Sequence, residues 1–147
     1  MINKDILQEY LHEALKANDT TRKTTIRLLI SSIKLAEISK GQPLTDQEVL
    51  AAIQKEIKTK RDTIADAQKA DRDDLIISAE AEIQVLEGFL PQQLSHQELM
   101  ELASQVIAET GANSIKDMGN VMKLLIERLA GRASNQEASK AVRELLQ

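Results

Sequence analysis

A chain of 147 residues with no cysteine, two aromatic side chains (Tyr10 and Phe89) and a net charge of −4 excludes several classes at the outset. A disulfide framework, a thiolate metal site and a cysteine nucleophile are ruled out, and the acidic balance argues against a general nucleic-acid binder with a broad basic footprint. A core almost without aromatics must be built from Leu, Ile, Val, Ala and Met, which with 29% charged residues and two prolines favours packed helices over a sandwich of strands.

The first residues, Met1 to Glu9, carry Asp5 and Glu9 where a secretory leader needs an apolar run. No stretch approaches the roughly 18 uncharged apolar residues of a membrane span, so the expectation is a cytoplasmic protein without membrane attachment.

Apolar residues then recur at helical spacing. Ile2, Ile6, Leu7, Tyr10, Leu11, Ala14 and Leu15 form a first stripe that stops at Asn18–Asp19. Ile26, Leu29, Ile30, Ile33 and Ala36 form a second, widened by Leu28 and Leu35, so this helix is expected to be the most buried; Gly41 and Pro43 end it. A long third helix follows through Val49, Leu50, Ile53, Ile57, Ile64 and Ala67, and a fourth through Ile76, Ala79, Ile83 and Leu86. Gly88-Phe89-Leu90-Pro91 breaks the pattern, because Pro91 lacks an amide proton and restricts Leu90. Residues 88–94 read as a linker, and three shorter helices are expected at 95–109, 114–130 and 134–146.

Helix starts are marked by one device, the capping box, in which a Ser or Thr oxygen takes the N3 amide and a carboxylate at N3 bonds back. Thr45 with Glu48, Ser95 with Glu98 and Ser134 with Glu137 fit it, and Ser114 with Asp117 is a looser version. Leu44 with Val49 and Leu94 with Leu99 add hydrophobic staples. The chain is therefore expected to be all-α: an N-terminal bundle of about four helices over 1–90 and a three-helix bundle over 91–147. The first part carries 13 basic and 16 acidic residues, net −3, and the second 6 and 7, net −1.

Little in the sequence points to catalysis. His12 and His96 belong to no zinc spacing and read as surface histidines. Asp71, Asp73 and Asp74 lack the glycine and distal Glu of a calcium loop and are explained by capping and the helix dipole. Gly41, Gly88, Gly111 and Gly131 fall at helix ends, where a left-handed residue is needed. None of the glycines forms a phosphate-cradling loop, so no cofactor, metal or catalytic residue is assigned. Gly119 lies inside a helical pattern at a cost of about 1 kcal/mol relative to alanine; close approach of a neighbouring helix is the first explanation, a ligand the second. Basic rows occur at Lys55, Lys58, Lys60 and Arg61 and at Lys23, Arg27 and Lys34, where a solvated, ion-paired face is expected. Lys116, Lys123, Arg132, Lys140 and Arg143 are spread over the last two helices and their turn.

Thr25–Leu29, Leu44–Leu50, Lys55–Asp74, Phe89–Leu94, Asp117–Met122, Gly131–Ser134 and Ala141–Leu146, taken in order, resemble the YqeY-like proteins of the GatB/YqeY family. The resemblance implies that the last three helices are similar to the tail domain of the B subunit of tRNA-dependent amidotransferase, which holds tRNA while chemistry takes place elsewhere. It carries over Met118, Gly119, Met122, Gly131 and Arg132. The sequence departs from the family at Ala133-Ser134-Asn135, where an acidic step is common. With this resemblance the expectation is a non-catalytic tRNA-binding protein that contacts RNA through Lys116, Gly119, Lys123, Gly131, Arg132 and Lys140, with no DNA role. Two other readings stand beside it. One is an adaptor that docks a protein partner along the third helix; the other is a stand-alone or accessory carbon–nitrogen ligase using glutamine as amide donor, as the family name implies.

Overall fold

The computed structural model describes residues 2–147. Among them lie seven α-helices, one 3-10 turn and no strand: α1 (Lys4–Lys16), α2 (Thr20–Lys40), α3 (Asp46–Lys69), α4 (Asp73–Glu87), α5 (His96–Thr110), the 3-10 turn Ile115–Asp117, α6 (Met118–Leu129) and α7 (Asn135–Leu146). The chain divides into two compact units, Met1–Leu90 and Pro91–Gln147.

The helix starts follow from their caps. At α3 the full box forms: Thr45 Oγ1 accepts the Glu48 amide at 3.2 Å, and the Glu48 carboxylate accepts the Thr45 amide at 3.1 Å. At α5 and α7 the serine half is in place, Ser95 and Ser134 each accepting an N3 amide at 3.1 Å. Two further starts use residues that the sequence pattern does not mark as caps, Asp19 standing there as the end of the first stripe. Asn3 caps α1 through the Ile6 amide at 2.9 Å, and Asp19 caps α2 through the Arg22 amide at 3.1 Å. The looser box at Ser114 does not form. Asp117 instead accepts the Asn113 amide at 3.1 Å, and the stretch read as one helix from 114 divides into the 3-10 turn and α6. The acidic turn also differs from expectation, since Arg72 occupies the N-cap of α4 without a side-chain cap. Its guanidinium holds both oxygens of Asp74, at 3.1 and 3.0 Å, while Asp71 adopts a left-handed φ of 54°.

In the first unit, Leu7, Ile26, Leu29, Ile33, Val49, Ile53 and Leu86 form the heart of an aliphatic core. The two aromatics meet at its edge, with the Tyr10 and Phe89 ring centroids 5.3 Å apart. Helix α2 is not buried all round. Leu28, Leu35 and Ile38, which widen its apolar stripe in sequence, are 52%, 68% and 77% exposed. The buried arc is confined to Thr25, Ile26, Leu29, Ile30 and Ile33, because a helix packed on one side can bury only about one arc of its surface.

The expected 88–94 linker is divided between the units. Phe89 and Leu90 pack against the first core and their amides donate to Leu86 and Glu87 carbonyls. Gly88, expected to be left-handed, is right-handed at φ −62°. Beyond Pro91 the chain is tied to the second unit: the Leu94 amide donates to the Arg132 carbonyl at 2.8 Å, and Gln93 Nε2 donates to the Gly131 carbonyl at 2.9 Å. The second core is built from Leu99, Ala103, Val106, Val121, Leu125, Leu129, Ala138, Ala141 and Val142. Small residues from α5 and α7 let three short helices approach closely.

Candidate nucleic-acid interface

The six cations of the second unit are used in different ways. Arg128 on α6 pairs with Glu109 on α5 through both guanidinium nitrogens, one bond at 2.8 Å. That hydrogen bond is the main reason the Glu109 carboxyl sits below its ordinary value and the Arg128 guanidinium above its own; burial opposes both shifts.

Arg132 closes α6. Ala130 and Gly131 take successive left-handed φ values of 48° and 84°, which turns the chain back on the helix end. From there Arg132 Nε donates to the Leu129 carbonyl at 3.0 Å and Nη2 to the Arg128 carbonyl at 2.8 Å. A cation in this place bonds two carbonyls of the last helical turn, that of Leu129 already taking the Arg132 amide, and is favoured by the negative end of the helix dipole. Arg132, expected as an RNA contact, therefore has a structural task that composition and spacing gave no sign of.

The remaining candidates are exposed. Lys116 on the 3-10 turn, then Gly119, Asn120 and Lys123 on α6, stand on one solvent face. Gly119, Asn120 and Lys123, three or four residues apart on α6, align one above another, and Lys116 stands exposed on the turn just before them. Among the described residues Lys116 and Lys123 make no ion pair. Gly119 falls in the first turn of α6, and a Cβ built there would meet nothing within 4 Å. Close approach of a neighbouring helix, the first explanation for this glycine, is thus overturned; its backbone faces open space. Met118 and Met122, carried over with it, pack against the core of the unit. Asn120, between the two lysines, went unnoticed in the sequence, although the helical period running from Lys116 marks it.

Lys140 and Arg143 are exposed on α7, flanked by Glu137 and Glu144. The six candidates do not form one cluster. Gly119 lies in the first turn of α6 and Gly131 in the turn beyond its last residue, with about 15 Å of helix from Gly119 to Leu129 at 1.5 Å per residue. Lys116, Gly119 and Lys123 share a face, Gly131 and Arg132 belong to the closing turn, and Lys140 stands on another helix.

A two-unit, all-helical chain with a cationic row on its second bundle defines a class, and comparison gives the family. The profile of the YqeY-like protein family matches residues 4–146, and the chain belongs to that family. Similar curated proteins include an uncharacterized protein of Schizosaccharomyces pombe, 31% identical over 62% of this chain and 74% of that protein. The mitochondrial protein named altered inheritance of mitochondria 41 is 28% identical in Pyrenophora tritici-repentis, over 95% of this chain and 78% of that protein. Its Kluyveromyces lactis counterpart is 38% identical over 56% of this chain and 45% of its own length. The match thus spans under half the length of the yeast relative. No helix among the described residues is long and apolar enough to cross a membrane.

Proposed function

We propose that this protein is a non-catalytic tRNA-binding protein whose second unit holds RNA by its backbone. The observation that supports this best is the exposed row Lys116, Gly119, Asn120 and Lys123, with two unpaired lysines on either side of an open helix backbone. Cations so placed neutralise phosphates and release counterions, and contacts of this kind position an RNA without reading its sequence. Lys140 contributes from α7, and Gly131 and Arg132 act by fixing the end of α6. The likeness of these helices to an amidotransferase tail supports tRNA as the RNA in question; glutamine-dependent ligation belongs, on this reading, to the longer enzyme. The composition supports a cytoplasmic setting, while relatives named for mitochondria extend the reading to any compartment that holds tRNA.

Titration of bulk tRNA against the protein at 50 to 200 mM salt tests this. Two phosphate contacts give a log–log slope near −1.8, or roughly tenfold weaker binding across that range. Lys116→Glu with Lys123→Glu is expected to abolish the salt-sensitive binding while leaving the helical circular dichroism signal intact. Binding that survives the pair refutes the row as the interface.

A further inference from the structure

The first unit is acidic as a whole, yet its charge is sorted between two helices. Helix α2 carries Arg22, Lys23, Arg27, Lys34 and Lys40 against Glu37 alone, a net of +4. Helix α4 carries Asp73, Asp74, Glu80, Glu82 and Glu87 with no cation, a net of −5. Much of this charge is engaged within the unit. Glu37 accepts Lys4 at 2.7 Å, Lys40 pairs with Glu48, Lys60 holds Glu82 at 2.8 Å, Arg61 holds Glu87 at 3.0 Å and Arg72 holds Asp74 at 3.0 Å. Arg27 and Lys34 on α2, and Asp73 and Glu80 on α4, are exposed and make no ion pair among the described residues. In the Lys23, Arg27 and Lys34 row, expected as a solvated, ion-paired face, Arg27 and Lys34 are solvated without a close ion pair, and Lys34 is near enough to Glu37 to help hold its carboxyl below the ordinary value.

Each of these unpaired rows borders exposed apolar surface. On α2, Leu28, Leu35 and Ile38 form a ridge that is 52%, 68% and 77% exposed, with Ser31 between Leu28 and Leu35. On α4, Ile77 is 67% exposed and lies between Asp73 and Glu80 in sequence. Stacked leucine and isoleucine side chains in water, beside unpaired charges, mark a surface that associates.

We propose that the outer face of α2 is the docking surface for α4 of a second copy of this chain. Charge complementarity selects this occupant. The cations Arg27 and Lys34 are seven residues apart and so are the anions Asp73 and Glu80, each pair about 10.5 Å along its helix. At 100° per residue both charged rows fall on the same hand of their apolar ridge, viewed from the helix N-terminus. Rows on the same hand meet across an interface only when the helices run antiparallel. In that register Arg27 faces Glu80, Lys34 faces Asp73, and Ile77 comes to the level of Ile30, one residue from Ser31, whose small side chain leaves room between Leu28 and Leu35. In the proposed pair a two-fold axis relates the copies, so that α4 of the first copy meets α2 of the second in the same way. The contact is independent of the RNA row on α6.

Sedimentation equilibrium on the full chain, in low and high salt, tests the proposal. The wild-type protein is expected to be a dimer that salt weakens. Arg27→Glu with Lys34→Glu is expected to weaken self-association by tenfold or more, since like charges then face Asp73 and Glu80. Asp73→Lys with Glu80→Lys should do the same. Mixing the two variants restores facing opposite charges in both contacts, one with the wild-type signs and one with the signs exchanged, and is expected to recover a mixed dimer. Circular dichroism confirms that each variant is folded; Leu35→Ser, which removes only exposed apolar surface, provides a second arm with no charge change. A wild-type monomer at all concentrations and salts overturns the proposal, and so does a dimer indifferent to both charge reversals and to Leu35→Ser.

Discussion

Arg132→Ala separates two meanings of the same residue. In the structure its guanidinium donates to the Leu129 and Arg128 carbonyls at 3.0 and 2.8 Å. Its own backbone carbonyl takes the Leu94 amide at 2.8 Å, and its amide donates to Leu129 at 3.0 Å. Removing the side chain leaves the Leu129 carbonyl with the Arg132 amide as its partner and frees the Arg128 carbonyl to water. A side-chain hydrogen bond contributes about 0.5–1.5 kcal/mol net, and a cation at a helix C-terminus about 0.3–1 kcal/mol. The group is half-buried, Leu129 keeps its backbone partner and the freed Arg128 carbonyl gains water, so the lower half of the sum applies: a local destabilisation of about 1–2 kcal/mol. Native-state hydrogen exchange reads this best, since a cost confined to the second unit is diluted in a global melt. Exchange at Leu94 and at the 129–132 amides is expected to quicken by roughly tenfold, following the 1.4 kcal/mol per decade rule. Arg132→Lys keeps the charge but loses the planar fork, and is expected to recover less than half of the protection. Unchanged exchange at Leu94 in Arg132→Ala would refute the role of this side chain as a helix closure. A loss of tRNA binding with unchanged exchange would return Arg132 to the list of direct contacts.

Other perturbations test other parts of the molecule. Gly119→Ala places a methyl group in open space within the first turn of α6; a gain well under the roughly 1 kcal/mol of a helix interior is expected by urea denaturation, together with weaker tRNA binding if the RNA backbone rests on that glycine. Gly41→Ala also meets no neighbour, but φ there is 81°, so strain alone should cost about 1 kcal/mol in the same assay. Thr25 is buried with its hydroxyl unpartnered. Thr25→Val keeps the shape, removes the stranded oxygen and is expected to stabilise the first unit by about 1 kcal/mol. Glu37 and Glu48 sit below their ordinary carboxyl values, chiefly through hydrogen bonds from Lys4 and Lys40 respectively. A lowered folded-state value means that the stabilisation is present above the unfolded carboxyl range near 4.5 and is lost as pH falls through the folded value. Urea midpoints should therefore hold between pH 7 and pH 5 and fall toward pH 3, with a shallower fall in Glu37→Gln.

The helices were legible because their signals are local. Caps such as Thr45 and Ser95 act within four residues, and apolar period needs only the chain's own spacing. What escaped depends on contacts distant in sequence. Nothing around Leu28 and Leu35 distinguishes them from Leu29, since which arc of α2 is covered is decided by the helices that pack on it. Arg132 looked like a surface cation because its task depends on the left-handed pair Ala130 and Gly131, and a non-glycine residue at positive φ leaves no reliable mark. Gly119 misled for a related reason: the break at Ile115–Asp117 moved it from the interior of a helix to its first turn, where a missing side chain costs little. Of the RNA candidates, the lysines were legible as cations, but not which of them the fold would leave free.

That division of cations limits how the second unit can act. Arg128 and Arg132 are tied to Glu109 and to the end of α6, so four of its six basic side chains remain, and the acidic Glu127, Glu137 and Glu144 stand beside them. Two to four phosphate contacts against such a background yield weak binding that fades at physiological salt. A single bundle of this charge would hold tRNA only transiently. Two bundles brought together by a dimer present twice the row on one particle, and the second contact then forms at an effective concentration set by the tether rather than by free protein. Charge reversal at Arg27 and Lys34, which lies outside the RNA row, is thus expected to weaken tRNA binding while leaving the salt dependence of the residual single-site binding unchanged. Affinity for tRNA that does not respond to loss of the dimer would show that one copy suffices, and would confine α2 and α4 to a role apart from RNA.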